Sequence, residues 1–148
     1  MGKLTDLLEL ARERAQGMPF AGALTPAEAW EVWHLAPGAR LVDVRTRAEL
    51  DWVGRIPETV EIEWTHYPSG AQNPHFLAHL KRQVERNTLV MFICRAGHRS
   101  RFAATLAAEA GYTASYNVLE GFEGEPDAHH HRNKTGGWRF ANLPWFQN

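Results

Sequence analysis

The sequence predicts an α/β domain with a mainly parallel sheet, and two observations lead to that class. Short apolar runs rich in strand-forming residues alternate with segments whose apolar residues recur at three- and four-residue spacing. This alternation is typical of parallel sheets, because a crossover, usually a helix, must connect one parallel strand to the next. With 148 residues, 44% of them hydrophobic, the chain is long enough to bury one full core, so we expect a single domain over 1–148.

The first helices are predicted by leucine spacing and by capping signals. A leucine-rich segment predicts a helical extension within residues 1–23, ahead of a core and tail over 24–148. The segment Thr25–Glu28 has the spacing of a capping box, in which each side chain accepts a hydrogen bond from the other residue's backbone. Thr46–Glu49 repeats that spacing, so we expect a second, shorter helix from there to Trp52.

Four runs of strand-forming residues predict strands that end at one edge of the sheet. They are residues 40–45, 59–63, 89–93 and 114–119. Later helices are expected from Asn73 and over 100–110. In a parallel sheet the functional crevice lies beyond the carboxyl ends of the strands. Cys94 directly follows one strand, and Asp43 and Arg45 lie at the end of another, so these residues mark the expected site.

The most informative residue is the only cysteine, Cys94. The loop that follows it is rich in basic residues and runs through Arg95, Ala96, Gly97, His98, Arg99, Ser100 and Arg101. At a strand-to-helix junction, backbone N–H groups and the positive end of the helix dipole favour an anion. A lone cysteine is more often a small buried apolar residue, but these basic surroundings favour a reactive thiolate.

Composition and charge argue against several classes of partner. The net charge of −1 indicates neither a nucleic-acid nor a membrane partner, and no apolar run approaches the length of a membrane span. A single cysteine cannot form an internal disulfide, and the amino-terminal segment lacks the apolar core of a signal peptide, so we expect a cytoplasmic protein. His129–His131 have no cysteine or carboxylate at ligand spacing, so we expect a flexible loop there, with no metal and no cofactor.

Three stretches of the chain resemble the signatures of the rhodanese family of sulfurtransferases. They are Leu41–Arg45 followed by Glu49, Cys94–Ser100, and Asn117–Gly121, and the resemblance extends from about Leu24 to Trp145. The chain departs from the family pattern at Glu58 and at Phe122, where glycine is usual. The resemblance implies a five-stranded, mainly parallel sheet flanked by helices on both faces. It also implies transfer of a sulfane sulfur through a persulfide on Cys94.

The chemistry assigns expected roles to the loop residues. The Cys94 thiolate would take sulfur from a donor such as thiosulfate and pass it to a small acceptor, cyanide or a thiol. Backbone N–H groups from Ala96 to Arg101 are expected to hold the terminal sulfur, with Gly97 allowing the backbone to curl. Arg95 and Arg99 are expected to attract anionic donor oxygens, and Arg99 is the better candidate to face the substrate.

The other loop residues are assigned to substrate binding or to support of the loop. Ser100 is expected to cap the following helix or to hydrogen-bond the sulfur. His98 is expected to orient the donor or the acceptor. Arg101, one residue into the predicted helix, is counted with the substrate-binding residues, although a solvated position is more common for an arginine placed there.

Asp43 and Arg45 are expected to support the site structurally. A buried carboxylate is normally satisfied, so Asp43 would pair with an arginine of the loop or accept backbone N–H bonds. Arg45 would pair with Glu49 or lie near the entrance of the site.

Two other functions remain open on the sequence. Phosphatases of related fold place an arginine after cysteine and five residues; here Ser100 occupies that place and Arg99 comes one residue earlier, which indicates a smaller cradle. A persulfide carrier or binding module for a protein partner is the other alternative, because a sole cysteine must pass its sulfur to an external acceptor. A monomer and a homodimer are equally compatible with the sequence.

Overall fold

The computed structural model describes residues 2–148 and contains strands that alternate with helices along the chain. In chain order the elements are α1 (Lys3–Arg14), β1 (Gly22–Leu24), α2 (Pro26–Leu35), β2 (Arg40–Asp43), α3 (Arg47–Trp52), β3 (Val60–Glu61), α4 (Phe76–Gln83), β4 (Val90–Ile93), α5 (His98–Glu109) and β5 (Ser115–Val118). The predicted α/β class is therefore confirmed.

The strands form one five-stranded sheet with the order β1-β5-β4-β2-β3, and every pairing is parallel. Strand β4 lies between β2 and β5, with Phe92 opposite both Val42 and Asn117. Because all strands run in one direction, their carboxyl ends meet at one edge of the sheet. That edge brings the residues after β2, β4 and β5 together.

Both faces of the sheet are covered, because successive side chains of β4 pack into buried clusters on opposite faces. Val90 and Phe92 belong to one buried cluster, which includes residues of α4 and α5. Met91 and Ile93 belong to a second cluster on the other face, which includes residues of α1 and α2. Successive side chains of a strand point to opposite faces, so a central strand with two buried faces is apolar throughout.

Both predicted capping boxes are present. The Thr25 hydroxyl accepts from the backbone N–H of Glu28 at 3.3 Å, and the Glu28 carboxylate accepts from the Thr25 N–H at 2.9 Å. At α3 the Thr46 hydroxyl accepts from the Glu49 N–H at 3.2 Å, and the Glu49 carboxylate accepts from the Thr46 N–H at 3.0 Å. These local contacts fix where α2 and α3 begin.

The structure corrects three element boundaries. Strand β1 was not among the predicted strands, because three residues beginning with Gly-Ala give too short a pattern. The strand expected over 59–63 pairs only at Val60–Glu61. Helix α4 begins at Phe76 rather than Asn73, whose side-chain oxygen instead accepts from the backbone N–H of His75 in a preceding turn.

No helix within residues 2–148 combines the length and apolar character needed to cross a membrane.

A buried ion pair closes the end of β2. The Asp43 carboxylate accepts from Arg45 Nε at 3.0 Å and from Nη2 at 2.8 Å, and both side chains are fully buried. Arg45 also donates to the Gly54 carbonyl oxygen at 2.8 Å, and its guanidinium carbon lies 4.0 Å from the centre of the Phe122 ring. One expectation for Asp43 is confirmed, because its Oδ1 accepts from the backbone N–H of Arg45 at 3.1 Å. The expected ion pairs were wrong: Asp43 pairs with Arg45 rather than with an arginine of the Cys94 loop, and Arg45 does not reach Glu49.

Removing the carboxylate of this pair should destabilise the fold. We expect Asp43→Ala to lower the free energy of unfolding by about 3–5 kcal/mol, because it leaves the Arg45 charge buried without compensation. Lys3→Ala, which breaks the exposed ion pair with Glu31, should cost less than about 1 kcal/mol and is the control. Urea unfolding measures the free energy of unfolding of both variants. Equal losses of stability would contradict the stabilising role of the buried ion pair.

Candidate active site

Cys94 lies at the carboxyl end of β4, and its sulfur faces the start of α5. The side chain is 1% exposed and borders a small cavity of about 120 Å³. The backbone N–H of Gly97 donates to Sγ at 3.1 Å, and the Ser100 hydroxyl oxygen lies 3.3 Å from Sγ. Of the predicted cradle of N–H groups, that of Gly97 is therefore in contact with the sulfur.

Gly97 makes this approach possible. It is the N-cap of α5 and has φ of +96°, in the left-handed region that favours glycine. A Cβ at this position would also lie 3.3 Å from the backbone nitrogen of Glu120. The left-handed turn ends the strand segment and directs the first turn of the helix towards Cys94. Helix α5 consequently begins at His98, two residues before the predicted start.

Ser100 is inside the first turn of α5, so the prediction that it caps this helix is wrong. Its hydroxyl instead lies between Cys94 and Asn117, and it donates to Asn117 Oδ1 at 2.6 Å. Asn117 is oriented by its own amide, which donates to the Gly97 carbonyl oxygen at 3.3 Å. The sulfur is thus linked through one hydroxyl to strand β5.

Arg99 is held by Glu49 in a forked ion pair. Its Nη1 and Nη2 donate to the two carboxylate oxygens at 2.7 Å and 2.9 Å. Burial opposes ionisation of Glu49, but the hydrogen bonds and charge of Arg99 and the Thr46 N–H outweigh it and lower the Glu49 pKa to about 2. Burial likewise opposes the charge on Arg99, and Glu49 outweighs it and raises the Arg99 pKa. Arg99 borders the Cys94 cavity, but its fork is directed at Glu49.

The remaining basic residues of the loop differ in their positions. Arg95 is exposed and borders both the Cys94 cavity and an adjoining groove of about 350 Å³ between Thr46 and Tyr67. His98 borders the cavity and forms a hydrogen bond with Glu125. Arg101 is outside the cavity, on the exposed side of α5, where its guanidinium lies over the Phe102 ring.

The segment 120–137, which includes the loop expected at His129–His131, forms one wall of the cavity. The backbone N–H of Phe122 donates to the Cys94 carbonyl oxygen at 2.8 Å, and that of Glu123 donates to the Arg95 carbonyl oxygen at 2.9 Å. We refer to residues 120–137 as the wall segment. Gly121 allows this contact, because a Cβ there would lie 2.5 Å from the Cys94 carbonyl oxygen.

Two residues of the wall segment border the Cys94 cavity and were missed by sequence reasoning. They are Glu125 and Arg132. Nothing in the local pattern distinguishes them from other charged loop residues, because the contact depends on how the segment folds back over the loop. Asn117 was likewise missed as a site residue, although it opens the third of the signature stretches.

The three consecutive histidines belong to a turn within the wall segment. Asp127 Oδ1 accepts from the backbone N–H groups of His129 and His131 at 2.8 Å and 2.9 Å. Within residues 2–148 no three histidine, cysteine, aspartate or glutamate side chains are grouped so that they could hold a metal ion.

A larger cavity of about 370 Å³ lies elsewhere along the same edge of the sheet. It is bordered by Arg45, His66 and His75 among others, and Cys94 does not contribute to it. Size alone therefore does not identify the candidate site; the small cavity is the one that borders Cys94, the only cysteine in the sequence.

Comparison with known proteins identifies the family. Residues 25–124 match the family of rhodanese-like domains. The chain belongs to this family. The resemblance carried by the three signature stretches is therefore confirmed, and the small cavity at Cys94 is the one formed by the loop that resembles the rhodanese active-site loop.

Individual proteins are similar to this chain over most of its length. The crystal structure of Rv0390 from M. tuberculosis superimposes with a TM-score of 0.80 and 46% identity, covering 87% of this chain and 99% of that chain. The uncharacterized protein RP600 of Rickettsia prowazekii is 35% identical over 122 residues, which cover 80% of this chain and 91% of that protein. The thiosulfate sulfurtransferase GlpE of Haemophilus influenzae is 30% identical over 110 residues, covering 72% and 89%.

The Glu49–Arg99 pair predicts a specific acid sensitivity. The folded-state pKa of Glu49 is lowered, so its carboxylate stabilises the fold fully above the ordinary value of 4.5 and loses that effect as the pH falls towards about 2. We therefore expect the stability difference between wild type and Glu49→Gln to be largest above pH 4.5 and to shrink below it. Urea unfolding of both proteins, at pH values above and below 4.5, measures this difference.

The exposed Glu109→Gln is the matched control for that series, because Glu109 lies on the same helix as Arg99 and is solvent-exposed. A Glu49→Gln difference that stayed constant with pH would contradict the ion pair as the cause.

Proposed function

We propose that this rhodanese-like domain is a sulfurtransferase that moves a sulfane sulfur from thiosulfate, or a donor like it, to a thiophilic acceptor through a Cys94 persulfide. The observation that carries the proposal is the contact set of the sulfur: Cys94 Sγ borders a cavity of about 120 Å³ and receives the Gly97 N–H at 3.1 Å. The likeness to a thiosulfate sulfurtransferase over most of the chain supports thiosulfate as donor.

The first half of the reaction loads the cysteine. The Cys94 thiolate attacks the outer sulfur of thiosulfate, a new S–S bond forms, and the bond between the two donor sulfurs breaks. Sulfite leaves with the electron pair of that bond, and Cys94 is left as an anionic persulfide. The Gly97 N–H is a fixed donor beside the sulfur, and the Ser100 hydroxyl can turn its proton from Asn117 to the sulfur. Donors held in place next to the reacting atom stabilise developing negative charge.

The second half of the reaction transfers the sulfur from Cys94 to the acceptor. A nucleophile such as cyanide attacks the terminal sulfur, the persulfide S–S bond breaks, and the electron pair returns to Cys94 as a thiolate. Because Cys94 is the only cysteine in the sequence, no thiol of the same chain resolves the persulfide. The acceptor is therefore an external molecule, either a small thiophile or a thiol on a protein partner.

The arrangement of Arg99 favours this chemistry over phosphate transfer. In phosphatases of related fold the arginine at the end of the cysteine loop must be free to hold the phosphate oxygens, and Arg99 is the arginine nearest that place. Here both nitrogens of the fork are bonded to Glu49. Production of phosphate from para-nitrophenyl phosphate, without thiocyanate from thiosulfate and cyanide, would favour the phosphatase instead.

Loading of Cys94 is testable by mass. After treatment with thiosulfate, intact-mass measurement of the wild type is expected to show one added sulfur atom, and cyanide should remove it. The Cys94→Ser variant should show no addition and no thiocyanate formation. A wild type that gains no sulfur, or a variant that gains it equally, would refute the proposal.

Ser100→Ala tests the hydroxyl beside the sulfur. We expect loading to slow by about tenfold, the effect of losing one hydrogen bond to a charged group. Ser115→Ala is the matched control: it is also a buried serine near the sheet, but its hydroxyl donates to the Ala104 carbonyl oxygen at 2.8 Å, away from the cavity. Equal rates in the two variants would contradict a role for Ser100.

A further inference from the structure

The charges around the Cys94 cavity fall into two kinds. Arg99 is compensated by Glu49, and His98 is bonded to Glu125. Arg95 and Arg132 also border the cavity, and neither forms an ion pair with a carboxylate anywhere in residues 2–148. Two uncompensated guanidinium groups therefore lie at the opening of a cavity that contains a nucleophilic sulfur.

Arg132 is fixed in this position by backbone contacts. Its Nη1 donates to the Gly124 carbonyl oxygen at 2.6 Å, and the Gly124 N–H donates in turn to the Arg95 carbonyl oxygen at 3.2 Å. Gly124 packs closely against the backbone of Gly136, because a Cβ at this position would overlap the Gly136 carbonyl oxygen. A guanidinium has five N–H donors, so one bond to Gly124 leaves others for a ligand.

The cavity has room for a small ligand. Its volume of about 120 Å³ accommodates a small tetrahedral oxyanion next to the sulfur.

We propose that Arg132, together with Arg95, forms the oxyanion-binding site of the donor and holds the sulfonate oxygens of thiosulfate while its outer sulfur meets Cys94. This inference rests on the proposed function, and it assigns donor binding to a residue of the wall segment rather than to the loop alone. Arginine suits this task because its planar fork matches the spacing of oxyanion oxygens. The same two residues then bind sulfite as it leaves.

The test measures binding separately from sulfur transfer. Thiosulfate is titrated by calorimetry into the Cys94→Ser protein, which cannot react, with and without Arg132→Gln. We expect the dissociation constant for thiosulfate to rise about tenfold when the charge-assisted hydrogen bonds of Arg132 are lost. Arg132→Lys keeps the charge without the fork and should fall between the two.

Lys134→Gln is the matched control, since Lys134 belongs to the same wall segment, is exposed and does not border the cavity. Lys134→Gln and Arg132→Gln each remove one positive charge. If overall charge alone governed thiosulfate binding, both variants would weaken it equally, and that result would overturn the proposal. In the reactive protein, Arg132→Gln should raise the KM for thiosulfate.

A second variant covers the case in which Arg132→Gln disturbs the wall segment and lowers the unfolding midpoint. Arg95 is exposed, and its side chain forms no hydrogen bond within residues 2–148, so Arg95→Gln removes a cavity charge without removing a structural contact. Weaker thiosulfate binding by this variant supports the site, and unchanged binding overturns it. The two proposals can fail separately. If thiosulfate binding depends on Arg132 but the wild-type protein gains no sulfur, the anion site stands and the proposed sulfurtransferase activity is refuted.

Discussion

The buried ion pair between Asp43 and Arg45 holds together the segments that surround the cavity. Arg45 contacts the carboxylate at the end of β2, the Gly54 carbonyl after α3 and the Phe122 ring of the wall segment. Phe122 is in turn bonded through its backbone N–H to the Cys94 carbonyl oxygen. Arg45 Nη1 is buried without a hydrogen-bond partner in residues 2–148, and the aromatic ring face lies beside the guanidinium. A neutral side chain could not join these three segments in the same way.

Around Cys94, some charged side chains hold the loop in place and others are available to bind a ligand. Glu49 uses both oxygens to fix Arg99, which ties α3 to the first turn of α5. The donors nearest the sulfur are a backbone N–H and a hydroxyl, whose positions are set by Gly97 and by β5. The backbone N–H needs no reorganisation when negative charge develops on sulfur, and the hydroxyl has only to turn its proton. Positive charge at the opening comes instead from arginines outside this bonded framework.

Sequence reasoning was accurate where structure depends on local chemistry. The capping boxes at Thr25 and Thr46, the apolar run of β4 and the strand-to-helix junction at Cys94 involve residues within a few positions of one another. It was inaccurate where contacts join distant segments. The ion pair of Arg99 spans 50 positions, and Arg132 reaches the cavity only because the wall segment folds back on Cys94 and Arg95. The pairing of Arg45 with Asp43 is the exception, because it was missed although the two residues are only two positions apart.

The Ser100 hydroxyl has one proton and two acceptors within reach, which gives the hydrogen-bond chain from Cys94 to Asn117 a direction. With a protonated thiol, the S–H donates to Ser100 and Ser100 donates to Asn117 Oδ1, so the chain points from the sulfur to β5. With an anionic sulfur, the hydroxyl proton turns to the sulfur and Asn117 Oδ1 loses its donor. The side-chain amide of Asn117 is therefore a native spectroscopic indicator of whether the sulfur beside it carries charge.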